Sequence, residues 1–181
     1  GGVLDLASGA GLLRLPTLFR ADIRTTGARG RAGWKLAADG LEMFGEDLRV
    51  STPDVESRGS GRVRLPASGP VFVDVNARFV ASSAPSALNY LPLQRFRPNV
   101  VRWLDRALVA GSVPNAELLW QGPLRGFPYA DGGGRFRAEF TLADAVIDYA
   151  DDWPRIENAT GTVIIDRATL SSVENRGAIG G

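Results

Sequence analysis

Residues 71–81 alternate with period two. Val71, Val73, Val75, Ala77, Phe79 and Ala81 fall on one side, and Asp74, Asn76 and Arg78 on the other. Successive side chains of a strand point to opposite faces, so the pattern predicts a half-buried strand. Residues 135–142 repeat it, with Phe136, Ala138, Phe140 and Leu142 set against Arg135, Arg137, Glu139 and Thr141. Shorter alternations predict strands at 19–25, 33–38, 55–65, 116–121, 145–149 and 161–166, most of them separated by Gly, Pro or polar breaks.

The rhythm changes between 86 and 110, in "SALNYLPLQRFRPNVVRWLDRALVA". Pro98 stands where a first helical residue would, and Gly111 where a C-terminal stop would. Val100, Val101, Trp103, Leu104, Ala107 and Leu108 share one arc at about 100° per residue, with Arg102, Asp105 and Arg106 opposite. This predicts an amphipathic helix, preceded by a short helical turn at 87–91, ahead of Pro92. Strands, a helical insert and more strands argue for an antiparallel sheet rather than a doubly wound one. The expected class is mostly β, as one continuous segment: strands over 1–85, the insert over 86–111, strands over 112–181.

Composition narrows the chemistry. With no Cys and no His, disulfides, thiol catalysis, imidazole catalysis and Cys/His metal sites are excluded. Lys plus Arg is 21 and Asp plus Glu is 20, so nothing draws the chain toward nucleic acid. Its 22 Gly and 11 Pro keep it below the low-complexity range of about 25–30%. No apolar run approaches the roughly 18–20 residues that span a bilayer, and no targeting signal is present. The start at Gly1-Gly2-Val3, without Met, leads us to expect a slice of a longer protein.

Three local features invite a functional reading. "DGGGR" at 131–135 lacks the Lys, the Ser/Thr and the following helix of a phosphate-binding loop. Asp-Gly is a preferred turn pair, so a tight turn is expected there. Asp151-Asp152 has no third ligand at a recognisable spacing and reads as an acidic loop ahead of Trp153-Pro154; a hydrolase using these two carboxylates is the reading it competes with. The helix is more open. Arg95, Arg97, Arg102 and Arg106 against Asp105, with Trp103 at the edge of the apolar arc, suit either anionic headgroups or a helix capping the sheet edge. No catalytic residue, metal ligand or cofactor site is expected.

The order of several motifs in the second half carries a resemblance. "NYLPLQRFRPNVVRWLDRALVAGSVPNAELLWQG" and "GFPYADGGGRFRAEFTLADAVIDYADDWPRIENATGTVIID" contain Tyr90-Leu91-Pro92, the helix ending near Gly111, Asn115-Ala116 and Trp120–Gly122. Phe127-Pro128-Tyr129 with its Gly turn and Asp152-Trp153-Pro154 follow. This stretch, roughly 86–170, resembles the YhdP branch of the AsmA-like bacterial envelope proteins; residues 1–85 match only as generic strands.

The resemblance implies a periplasmic segment of a Gram-negative protein anchored in the inner membrane by an N-terminal helix. It implies a curved β-sheet groove whose apolar concave face carries phospholipid acyl chains toward the outer membrane. The expected partners are then those acyl chains and the rest of the full-length chain, with sheet edges able to pair with another copy. The expected groove lining is Val71, Val73, Val75, Phe79, Phe136 and Phe140. Those positions serve equally as the core of a β-sandwich, so a structural or protein-interaction domain of an envelope scaffold stands as the alternative.

Overall fold

The computed structural model describes residues 1–17, 19–91 and 93–179. Its strands are β1 (Gly2–Ser8), β2 (Gly11–Leu13), β3 (Ile23–Thr25), β4 (Gly27–Ala37), β5 (Gly40–Ser51), β6 (Val55–Pro66) and β7 (Phe72–Ala81). After a helical insert come β8 (Leu108–Pro123), β9 (Arg135–Ile147), β10 (Ile156–Asp166) and β11 (Thr169–Ile179). Among the described residues, nine strands form one open sheet in the order β1-β4-β5-β6-β7-β8-β9-β10-β11, and β2 pairs with β3 separately. Every pairing is antiparallel. Neighbours in the sheet are thus mostly neighbours in sequence, as short connections favour.

Two expected strands, 135–142 and 145–149, are one. β9 runs through both with register shifts against β8 and β10. The strand expected at 19–25 shrinks to Ile23–Thr25. Strands β1, β5 and β11 carry no clean alternation and were not expected. In β5, a bulge at Asp47, whose φ is 49°, interrupts the pattern.

The insert comprises α1 (Ala84–Ala87), 3₁₀ turns at Leu88–Tyr90 and Leu93–Arg95, and α2 (Pro98–Ala107). Ser83 caps α1 by accepting from the Ser86 N–H at 3.2 Å. Pro98 opens α2 as expected; Pro92 lies outside the described residues. The helix stops at Ala107 instead of 110, and Gly111 is not its stop. Leu108 is already extended and pairs with Ile147. Gly111 sits within β8 at φ 114°, at a bulge where a Cβ would lie 2.6 Å from the Ala145 Cα. A helix stop and a strand bulge both need positive φ, so the residue type alone does not separate them.

The core lies between the insert and one face of β7–β10. Leu88, Leu91, Leu93 and Leu104 from the insert meet Val73, Ala116, Trp120, Phe136, Ala138 and Phe140 from the sheet, all buried. No helix among the described residues is long and apolar enough to cross a membrane.

Candidate functional site: an amphipathic sheet with a partly roofed apolar face

Cross-strand register assigns each residue to a face. Val75 stands opposite Trp120, which stands opposite Phe136. In the other direction Val75 faces Gly61, then Gly45, Ala32 and Leu4. A second row runs Ala28, Val50, Ser57, Phe79, Ala116, Phe140, Val163. A third runs Trp34, Met43, Val63, Val73. These rows share one face, which is therefore apolar from β1 across to β10.

The opposite face is charged. Arg31 pairs with Asp5 at 3.4 Å, Arg62 and Arg64 with Glu42 at 3.6 Å, Arg78 with Glu117 at 2.9 Å and Arg137 with Glu139 at 2.7 Å. Exposed pairs of this kind add about 0–1 kcal/mol each. Their consequence is orientation: they keep this face in water and leave the other to bury apolar surface.

The apolar face divides into two regions. Over β7–β10 it is roofed by the insert and by the 124–134 connection. Phe127 packs edge-on against Phe136 at 4.7 Å between centroids and at a tilt against Trp120 at 5.1 Å, and Phe96 stacks on Phe127 at 5.9 Å. Over β1 and β4–β6 it is more open, although Val55 at the start of β6 is buried and the Tyr90 hydroxyl of the insert reaches Thr52 at 2.9 Å. There Trp34 is 44% exposed, Met43 42% and Leu36 73%. At the far side, between α2 and β9–β11, lies a trough of about 880 Å³ lined by Trp103, Leu142, Ile147, Ile156, Val163 and Leu170.

The expected lining residues come together on this face, in different settings. Val73, Phe136 and Phe140 are buried beneath the roof. Val75 and Phe79 are half-buried, and Val71 is half-buried just before β7. Trp34, Leu36 and Met43, exposed on this face, were missed because the 33–38 alternation is short and β5 carries no clean one. Tyr129 was also missed as a core residue. It is 0% exposed, and its hydroxyl accepts from the Trp120 indole N–H at 2.8 Å. Burial raises the Tyr129 pKa above its ordinary value, against a smaller lowering by that hydrogen bond.

The helix residues also have definite places. The apolar arc of α2 is turned to the sheet, with Leu104 and Ala107 buried. Trp103 is half-buried, and its indole N–H donates to the Tyr149 carbonyl at 3.1 Å. Arg106 pairs with Asp151 at 2.5 Å and also donates to the Tyr149 carbonyl. Arg20 bonds both Asp105 and the Asn89 side chain, tying the 14–25 region to the insert. Arg102 is exposed on the outer side of the helix. Asp151 is thus an ion-pair partner, and no cluster of three or more metal-ligating side chains occurs among the described residues. At "DGGG", Gly132 has φ 88° and the Gly133 N–H donates to the Asp131 carboxylate at 3.2 Å, a turn of the expected kind.

The chain is 25% identical over 157 residues to a protein of Escherichia coli strain K12, the intermembrane phospholipid transporter YhdP. The match covers 87% of this chain and 12% of that protein, so the chain spans a small part of the relative's length. No solved structure matches it. The family model described as YhdP protein matches residues 1–181. Matched over residues 1–181, the chain belongs to the YhdP family.

Proposed function

We propose that this chain is a non-enzymatic segment of a periplasmic protein, anchored elsewhere in the inner membrane, that conducts phospholipid to the outer membrane along its apolar sheet face. The observation that carries this reading is the open apolar surface around Leu4, Trp34, Leu36 and Met43 on β1, β4 and β5, continuous in register with the roofed region. An acyl chain laid on such a face leaves water at about 0.8 kcal/mol per buried methylene. That interaction is non-directional, so a chain slides along it without a fixed stopping point. Val75, Phe79, Met43 and Val63 form the contact surface, and Val73, Phe136 and Phe140 its buried support. The relative's role as an intermembrane phospholipid transporter agrees with this reading.

The edge strands fit a longer sheet. β11 is exposed along its whole length, and β1 nearly so. Further strands of the same protein would satisfy the free ladders of both edges; isolated copies would pair there instead.

The experiment is lipid extraction and native mass spectrometry of the protein purified from bacteria, with photo-crosslinkers at Met43 and Val63 and, as controls, at Glu46 and Arg62 on the charged face. Phospholipid adducts at the first two positions alone are expected. Absence of phospholipid, or equal labelling of both faces, removes the transport reading. The closed core under the insert is the observation that favours an envelope-scaffold interaction domain, which would then stand.

A further inference from the structure

Many cations of the charged face stand opposite acids: Arg31 opposite Glu46, Arg62 opposite Asp74, Arg64 opposite Glu42, Arg137 opposite Asp166; Arg135 stands opposite Gln121. In one row, however, Arg29 stands opposite Arg49, Arg49 opposite Arg58, and Arg58 opposite Arg78. Like charges directly opposite on neighbouring strands destabilise a sheet. The row crosses four strands at about 4.8 Å each.

The half of this row on β6 and β7 is compensated and the half on β4 and β5 is not. Arg58 pairs with Asp47 at 2.6 Å and Arg78 with Glu117 at 2.9 Å. Among the described residues, Arg29 and Arg49 pair with no carboxylate. The nearest acid along the adjoining row, Glu56, accepts from the Ser51 hydroxyl at 2.7 Å. All four arginines, together with Glu56, line a shallow depression of about 840 Å³, edged toward β1 by the small residues Ala7 and Gly27. A space next to two facing, uncompensated guanidinium groups is the geometry of an anion site.

From this we infer that Arg29 and Arg49 bind a phosphate-type dianion on the face opposite the apolar one. Two guanidinium groups carry two charges, which one phosphate monoester dianion matches. A single carboxylate is already satisfied by one arginine fork, so it leaves the second cation unpaired. Tetrahedral phosphate has oxygens for both. The bound anion removes the repulsion between β4 and β5 that the empty row carries. Free phosphorylated solutes and phosphomonoester headgroups at a membrane surface share this chemistry, and the site accepts it from either source.

The test follows the arginine Nε–H signals of the ¹⁵N-labelled protein by NMR at low salt. Inorganic phosphate, acetate at matched ionic strength, and vesicles of phosphatidic acid or phosphatidylcholine are titrated in turn. The expected result is a saturable shift of Arg29 and Arg49 with phosphate, absent with acetate and absent from exposed Arg102. A response to phosphate alone assigns a soluble source; an added response to phosphatidic acid vesicles assigns a headgroup. Arg49→Glu is the second arm. It places opposite charges between Arg29 and Arg58, so the thermal midpoint should rise while phosphate binding is lost. No saturable response to phosphate or to phosphatidic acid overturns the site. So does phosphate binding that survives Arg49→Glu, or an equal response to acetate.

Discussion

Trp120 and Tyr129 are joined by a 2.8 Å hydrogen bond between two almost fully buried side chains, the indole N–H donating to the phenol oxygen. Trp120 belongs to β8 and Tyr129 to the connection that folds over it, so the bond fastens the roof to the apolar face. Tyr129 holds a φ of 64°, a conformation that non-glycine residues seldom adopt, within this connection.

Removing only the hydroxyl isolates that bond. Tyr129→Phe leaves the buried Trp120 N–H without its acceptor, at a cost of about 1–3 kcal/mol. Chemical denaturation of the two proteins measures the difference. A change within about 0.3 kcal/mol would show that water reaches the indole.

The same residue sets an alkaline limit. Burial raises the folded-state pKa of Tyr129 above 10.0, while the unfolded phenol ionises near 10.0. Above that pH the unfolded chain releases a proton that the folded chain keeps, so the unfolded state binds fewer protons and stability falls as pH rises. Tyr129 thus contributes fully below pH 10. The loss sets in as pH climbs from there toward the raised folded value. Urea midpoints measured across this range should fall more steeply for the native sequence than for Tyr129→Phe.

On α2, packing outweighs charge. Leu104→Ala removes a side chain that is 2% exposed and should cost about 2–5 kcal/mol. Arg106→Ala breaks a pair whose side chains are 40% and 85% exposed and should cost less than about 1 kcal/mol. Thermal unfolding of both variants tests the order; the reverse order would mean that the helix is held mainly by its ion pairs.

Gly111 tests the bulge. A Cβ there combines φ 114° with a 2.6 Å approach to the Ala145 Cα, so Gly111→Ala forces β8 away from β9. The strain alone is worth about 1–3 kcal/mol. A lowered thermal midpoint is expected, with amide exchange rising first at Gly111 and Ala145.

For lipid, one charge on the open face suffices. Val63→Asp places a carboxylate in the row of Trp34, Met43 and Val73, where an acyl chain would have to desolvate it. Co-purified phospholipid, quantified by mass spectrometry, should drop several-fold with an unchanged circular dichroism spectrum. Asn76→Asp, on the charged face beside Ser60, should leave the lipid content as it was.

Much of the architecture follows from local pattern. The period-two runs at 71–81 and 135–142 set strands β7 and β9 with their faces. Pro98 and the apolar arc set α2, and Asp131-Gly132 sets the turn before β9. These signals are legible because side-chain direction repeats over a few residues of one chain. The motif order from Tyr90 to Pro154 likewise pointed to the family that the whole chain matches. What the tertiary structure decided is non-local. β11 has no buried side to betray it, and the β5 alternation is broken by a bulge, so only pairing reveals either strand. Phe136 and Val75 look alike in sequence, yet one is sealed under Phe127 and the other is half-open, because the roof comes from residues outside both strands. Arg29, Arg49, Arg58 and Arg78 are scattered along the chain and become one row only through register. Alternation is written residue by residue, but coverage and cross-strand neighbours depend on which distant segments the fold brings together.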